Sequence, residues 1–370
     1  MSDDALDLPE PDRVPGAPHP RETLHLFGQS HAEAEFLAAL ASGRLHHGWL
    51  ITGPRGVGKA TLAWRIARFL LAEPAPGGMF APPAPVTLDT PPDHPVVRRM
   101  LALAEPRLFL LRRGLNEKEN AIASEILVKE ARKLKGFLQL SVVDGGRRVI
   151  IVDAADELNT SAANALLKLL EEPPANVIFL LVTHQPARLL PTIRSRCREL
   201  RAALVGPDDM ARALTQAGVE VTSPEALAAL SGGSVGAALR LAELDGVALY
   251  ARLVSLLADQ PRFDRGAALA FSDLAGGKTN EARFDLMLDL FDLALTRMAR
   301  MAATGRLGPE AAPGEAAAFA RLAEGASGAR RWAGLQQELG ARARRGRAVN
   351  LDPAALVMDM VLHISAVAAA

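Results

Sequence analysis

Two hydrophobic rhythms divide the chain. From Thr23 to about Ala203, short apolar, β-branched runs alternate with stretches whose apolar residues recur at helical spacing, which predicts a parallel sheet wrapped by helices. The strands expected are Trp49–Thr52, Leu108–Leu111, Val149–Asp153 and Val177–Thr183. Between the first two, Glu73 to Pro95 is rich in Pro and Gly and reads as an irregular excursion. From about Gly206 the strand signals vanish. Ala- and Leu-rich helical stretches run to the end, broken near Ser231-Gly-Gly233, Gly276-Gly277, Gly305–Pro313 and Gly346. The expected organisation is an α/β module over 23–203, a small helical lid over 204–245 and an all-α domain over 246–370. Residues 1–22 hold five prolines and six acidic residues without periodicity, and are expected to be a disordered tail. There is no internal repeat.

Composition narrows the class. At 370 residues the chain is long enough for two or three domains. Hydrophobic content of 49% and only 4% aromatics imply a core of Ala, Leu and Val, which suits helices. Formal net charge is zero, so no global field argues for nucleic acid and any basic surface must be local. The single cysteine, Cys197, excludes a disulfide framework and a multi-cysteine zinc site within the chain, and favours a reducing, cytoplasmic setting. No segment reads as a signal peptide, and no apolar run approaches the roughly 20 residues that span a bilayer, so no membrane partner is expected.

The most specific chemistry lies at Gly53-Pro-Arg-Gly-Val-Gly-Lys59-Ala60-Thr61. Gly53, Gly56, Gly58 and Lys59 fit a phosphate-binding loop between a strand and a helix, where backbone N–H groups cradle phosphate and the lysine reaches its outer oxygens. Ala60 stands where a hydroxyl would hold Mg²⁺, and Thr61 comes one residue late, about 100° around the helix. Arg148-Val-Ile-Ile-Val-Asp153 is an apolar strand ending in an acid suited to Mg²⁺, but the next residue is Ala154 rather than a water-activating glutamate. Asp156 and Glu157 follow in the turn that opens the next helix. Thr183, ending the strand from Val177, could set a polar side chain beside a γ-phosphate. A site that holds nucleotide and a site merely descended from one both satisfy this pattern.

Taken with Asn164-Ala-Leu-Leu-Lys168-Leu-Leu-Glu-Glu-Pro-Pro174 and Ser195-Arg196-Cys197, these residues resemble the bacterial clamp-loader family, the AAA+ subunits of the DNA polymerase III holoenzyme. Leu26-Phe-Gly-Gln29 and Val349-Asn-Leu-Asp352 are lesser echoes. The resemblance covers roughly residues 23–365 and implies an AAA+ module, a lid and a C-terminal collar domain that oligomerises. It also implies partners: the gamma/tau and delta subunits, and through the assembly the sliding clamp and primed DNA. Motor subunits of that family carry a sensor arginine in a Gly-Ser-x-Arg setting, whereas this chain has Gly233-Ser-Val-Gly236. With Ala60, Ala154 and Gly236 altered and Ser-Arg-Cys intact, the pattern resembles the stator, or delta-prime, type. The alternative is a working gamma/tau-type ATPase. The stator resemblance implies that Arg196, with Ser195, serves a neighbour's ATP site in trans. It further implies that ATP binds weakly at Lys59, Thr61, Asp153 and Thr183, with Mg²⁺ only alongside it, and that the chain's own hydrolysis is weak or absent. The family's four-cysteine zinc module has no counterpart around 72–106, so zinc is not expected.

Other candidates carry less. By spacing alone Arg194, Arg196, Arg198 and Arg201 equally describe a solvated basic edge. Cys197 reads as a small buried residue rather than a nucleophile. His46 and His47 lack metal-ligating neighbours and read as packing or surface residues. Lys129, Arg132, Lys133 and Lys135 share a helix face that would suit DNA phosphates through salt-sensitive contacts or simply solvent. Arg342, Arg344, Arg345 and Arg347 leave the same choice between DNA, an acidic partner and solvent.

Overall fold

The computed structural model describes residues 10–14, 16–73, 85–116, 118, 121–139, 146–260, 262–277, 281–323 and 327–369. Five strands, β1 Gly48–Thr52, β2 Leu108–Arg112, β3 Arg148–Asp153, β4 Val177–Val182 and β5 Arg198–Arg201, form one parallel sheet in the order β2-β3-β4-β1-β5. Between them run α1 Ser30–Ala41, α2 Lys59–Ala72, α3 Pro95–Leu101, α4 Val128–Gln139, α5 Thr160–Glu171 and the short α6 Pro191–Arg194. Alternation along the strands sends Trp49, Ile51, Val149, Ile151, Ile178 and Leu180 to a core with α1, α2 and α3. Leu50, Ile150, Val152, Phe179 and Leu181 face the opposite core with α4 and α5. Because both faces are covered, β3 and β4 read as unbroken apolar runs.

β5 is the strand that hydrophobic pattern did not predict. Its sequence is Arg-Glu-Leu-Arg, with only Leu200 buried. It pairs on one side, with β1, so its polar side chains meet solvent and its strand character comes from the partner's free ladder. The proposed basic edge is therefore partly sheet: Arg198 lies over the Trp49 ring at 5.1 Å and pairs with Glu35 at 3.2 Å.

The expected disordered tail is corrected as far as it is described. Residues 10–14 and 16–22 hold fixed ion pairs, among them Arg13–Glu22 at 2.6 Å and Arg21–Glu10 at 2.5 Å, and His19 is fully buried. The acids and arginines that gave the segment its disordered composition satisfy one another. Residues 1–9 and 15 lie outside the described residues, as does 74–84 of the expected excursion; its end, Pro95, instead opens α3 with His94 capping Val96 N–H.

The domain boundaries also differ. The chain forms two compact units, one reaching Ala213 and taking in Ser234–Gly236, the other holding Leu214–Gly233 and the residues from Ala237 on. The expected lid, 204–245, falls across this division. Its helices, α7 Pro207–Gln216, α8 Pro224–Ser231 and α9 Val235–Glu243, are divided between the units. The second unit continues as α10 Gly246–Ala258, α11 Arg265–Ser272, α12 Glu281–Thr304, α13 Glu315–Leu322, α14 Gly328–Ala348 and α15 Pro353–Ala369, with no strand among its described residues. Among the described residues no helix is long and apolar enough to cross a membrane.

One polar network anchors this helical unit. The fully buried Glu315 accepts from Tyr250 Oη at 2.6 Å, from Arg297 Nε at 2.6 Å and Nη2 at 2.9 Å, and from Ala311 N–H at 2.7 Å. Every carboxylate lone pair that faces the core is used, which is the condition for tolerating a buried charge. Glu315→Ala should destabilise the unit by about 3–5 kcal/mol, because Arg297 is left buried without its partner. Tyr250→Phe should cost only about 1 kcal/mol. Urea unfolding of the full chain measures both, and equal costs would contradict this account.

Candidate phosphate site and the arginine edge

The carboxyl ends of β1, β3 and β4 meet at one edge of the sheet, where ligands sit in open α/β folds. The turn after β1 brings Gly53 to Lys59 there. Gly53 has φ 139°, and a Cβ on it would stand 2.7 Å from the Ala202 carbonyl oxygen, so only glycine lets the loop leave the sheet this way. Gly58, at φ 96°, caps α2 without a side-chain bond, which leaves the first N–H groups of α2 directed at the loop's concavity. Gln29 fixes the loop from behind: its Nε2 donates to the Val57 and Ala203 carbonyls at 2.9 Å each, and its Oε1 accepts from Ala203 N–H.

Lys59 does not project into open space. It is buried, and its Nζ donates to the carbonyls of Gly53, at 2.7 Å, and Pro54. Burial pulls its pKa down to about 8 against the opposing pull of Asp153 and Asp156. Asp153, closing β3, is pushed up to about 7, first by burial and then by the negative charges of Asp12 and Glu157. Thr183 follows β4, and its buried Oγ1 has no hydrogen-bond partner among the described residues. Next to it His184 donates its N–H to Asp156 at 2.9 Å, while burial and then Lys59 hold the imidazole down at about 4.

The donor set therefore fits a phosphate group in part. Loop N–H groups, Lys59 and the orphaned Thr183 hydroxyl suit anionic oxygens, and Asp153 suits Mg²⁺. Ala60 and the buried Ala154 contribute no oxygen, and Thr61 sits one position further along the first turn of α2. Gly236 lies against the loop, donating its N–H to Gly56 O at 3.2 Å. Gly56 has φ 79°, and a Cβ there would meet Ser234 Oγ at 2.2 Å, so the Ser234–Gly236 turn fits only against glycine.

Arg196 belongs to the other edge. It precedes β5, and the sheet is parallel, so Arg196 stands at the amino ends of the strands, about 13 Å of strand away from their carboxyl ends. Its Nη1 donates to Thr192 O at 2.9 Å and to Ser195 Oγ at 3.4 Å, and its Nη2 pairs with Glu171 at 2.8 Å. Ser195 is exposed and its hydroxyl donates to Thr192 O at 3.1 Å. Glu171 ends α5 within the Leu-Leu-Glu-Glu-Pro-Pro stretch, so two motifs distant in sequence form one surface. Gly48 seals it: a Cβ there would meet Arg196 O at 3.1 Å and Cys197 Sγ at 3.2 Å. Burial raises the Cys197 thiol to about 12, which makes it a packing residue rather than a nucleophile.

The remaining candidates are mostly committed. His46 Nδ1 lies 2.8 Å from Gly48 O and His47 Nε2 3.0 Å from Leu170 O, their rings stacked at 4.5 Å. On α4, Lys129 donates to Asn116 O and Lys133 pairs with Glu130, while Arg132 and Lys135 are exposed. Arg342 pairs with Asp359, and Arg347 with Asp285 and Glu281. Sequence reasoning gave no role to Glu171, Asp12, Arg112 or His184. Only Glu171 carried a signal, by lying inside a recognised motif.

Residues 28–204 match the family model described as DNA polymerase III, delta subunit. The delta' subunit of Pseudomonas aeruginosa is 38% identical over 200 residues, 53% of this chain and 55% of that one. The delta' subunit of Escherichia coli K12 is 35% identical over 216 residues, 57% and 59% of the two chains. The gamma/tau subunit of Mycobacterium tuberculosis H37Rv is 32% identical over 206 residues, 55% and 33%. The chain thus spans somewhat over half the length of the delta' relatives. A gamma-subunit-related protein of Thermotoga maritima has a TM-score of 0.41 at 16% identity, covering 90% of this chain and 99% of that one, a likeness too remote to bear on function.

Asp153 gives a pH test. In the unfolded chain it loses its proton near 3.8, in the folded chain near 7. Between those values the folded state keeps a proton that the unfolded state has lost, so this group's contribution to stability declines as pH rises through the window. Asp153→Asn carries no such proton. Its stability relative to wild type should therefore increase from about pH 4 to about pH 7 and then level off. Denaturation in magnesium-free buffer measures this, and parallel profiles would contradict it.

Proposed function

We propose, from the match of residues 28–204 to the DNA polymerase III delta-subunit model and the likeness to two delta' subunits, that this chain is a delta-prime-type clamp-loader subunit, a stator that completes a neighbour's ATP site rather than running its own. The observation that carries the reading is the split between the two sheet edges. Arg196 stands at the edge opposite its own phosphate loop, on a surface able to meet another subunit, while that loop lacks the hydroxyl, the glutamate and the arginine of a motor. The pocket holds ATP weakly, since Lys59 must first give up the Gly53 and Pro54 carbonyls and its charge is already disfavoured by burial. Its partners are gamma/tau and delta subunits and, through the assembly, the sliding clamp and primed DNA.

The physical role of Arg196 follows from phosphoryl transfer. Charge spreads over the γ-phosphoryl oxygens at the transition state, and a guanidinium offers them two parallel donors. The half-exposed pair with Glu171 is worth at most about 1 kcal/mol, so the arginine is held in position yet readily released to a phosphate. Hydrolysis next door would then depend on this subunit having docked.

Arg196→Ala should leave the chain folded and able to assemble, since a surface arginine contributes little to stability. At the one site that it serves, turnover should fall by about 10³-fold or more. Steady-state DNA-stimulated hydrolysis would lose that site's share and clamp loading would slow. Arg196→Lys should rescue poorly, because an ammonium lacks the planar fork. Assemblies reconstituted at matched yield test this, and unchanged turnover with Arg196→Ala would refute the trans-acting role. ATP turnover by the isolated chain at a motor's rate, abolished by Lys59→Ala, would favour a gamma/tau-type ATPase instead.

A further inference from the structure

The segment that composition marked as a tail runs across the phosphate site. Arg112 and Asp153 are register partners at the carboxyl ends of β2 and β3. Arg112 Nη1 pairs with Asp12 and, at 3.3 Å, with Glu10, while Arg113 Nη2 donates to the Pro11 carbonyl at 2.9 Å. Asp12, almost fully enclosed, has its second oxygen 3.1 Å from His19 Nε2. Val14 reaches the phosphate loop's other neighbour: a Cβ on Gly236 would stand 3.9 Å from its Cγ2. Beyond that, the chain is fastened along α2. The His19 ring meets the Trp64 ring edge-on at 5.9 Å, Arg68 donates to the Arg21 and Thr23 carbonyls at 2.9 and 2.8 Å, and Arg65 donates to Leu24 O at 2.5 Å.

We propose that the described residues of 10–22 form an intramolecular strap that closes the phosphate site and competes there with a magnesium nucleoside triphosphate. The chemistry is substitution of one anion by another. The carboxylates of Glu10 and Asp12 take up the Arg112 guanidinium beside Asp153, a cation that a polyphosphate would otherwise draw on. Asp12 also places negative charge beside Asp153, where an incoming phosphate would add more. The strap and the residues just after it are fastened to α2, the helix that carries Lys59. Low affinity for nucleotide then comes from a competitor within the chain, over and above the absent hydroxyl at position 60.

This rests on reading residues 53–61 as a phosphate cradle, but not on the role of Arg196, whose test reads turnover by the assembly. The measurement uses the full chain as wild type and as the Glu10→Gln, Asp12→Asn double variant, which removes both charges at nearly constant size. A fluorescent ATP analogue with Mg²⁺ is titrated by anisotropy, and hydrogen exchange of the strap amides is followed with and without saturating nucleotide. The variant should bind about tenfold more tightly, since losing a charge-assisted contact weakens the competitor by about that factor. Wild-type strap amides should exchange faster when nucleotide saturates. Equal or weaker binding by the variant, no binding by either protein, or strap protection unchanged at saturation would each overturn the proposal.

Discussion

A parallel sheet gives every strand the same polarity, and that constraint arranges the chemistry of this chain. Whatever follows a strand arrives at the carboxyl edge, and whatever precedes one stands at the amino edge. The glycine loop follows β1, Asp153 closes β3 and Thr183 follows β4, so the phosphate-binding groups converge. Arg196 and Ser195 precede β5 and are carried to the far side, beside Glu171. No rotamer change brings Arg196 to its own loop. The separation of Arg196 from the glycine loop is the direct result of strand direction.

The candidate pocket is also partly satisfied from within. Lys59 spends its charge on the loop's own carbonyls, and Asp153 sits among other acids at a raised pKa. Each group would regain its ordinary charge beside a magnesium phosphate, yet each is partly satisfied without one. Ala60 and Ala154 remove the oxygens that would tilt that balance toward hydrolysis. The glycine at 236 lets the Ser234–Gly236 turn press against Gly56. These features act in one direction, toward a site that is shaped and closed.

Much of this was legible in the residues. The four central strands announced themselves because burial on both faces demands continuous apolar runs, and the loop because its glycines and Lys59 have few other reasons to share that spacing. The Ala- and Leu-rich helical spacing from about Gly206 placed the helical region equally well, and on α14 it buries Trp332, Leu335, Leu339 and Ala343. β5 was not legible: an edge strand with one buried residue owes its conformation to β1, and no local pattern records a partner. The segment 10–22 misled for a related reason, since acidic and Pro-rich composition measures what a chain lacks for a core of its own and ignores what a neighbour supplies.

The sequence by itself determined the parallel α/β module and the glycine and lysine spacing of residues 53–59, because each follows from local periodicity or from fixed spacing within a few residues. Only the tertiary structure decided that Arg196 is paired with Glu171, that Lys59 is turned onto its own loop, and that Asp12 stands beside Asp153. Those facts join residues far apart in the chain. They depend on which strand edges meet and on which charges are brought within a few ångströms, and electrostatic energy at that range is set by distance and burial, not by order along the sequence.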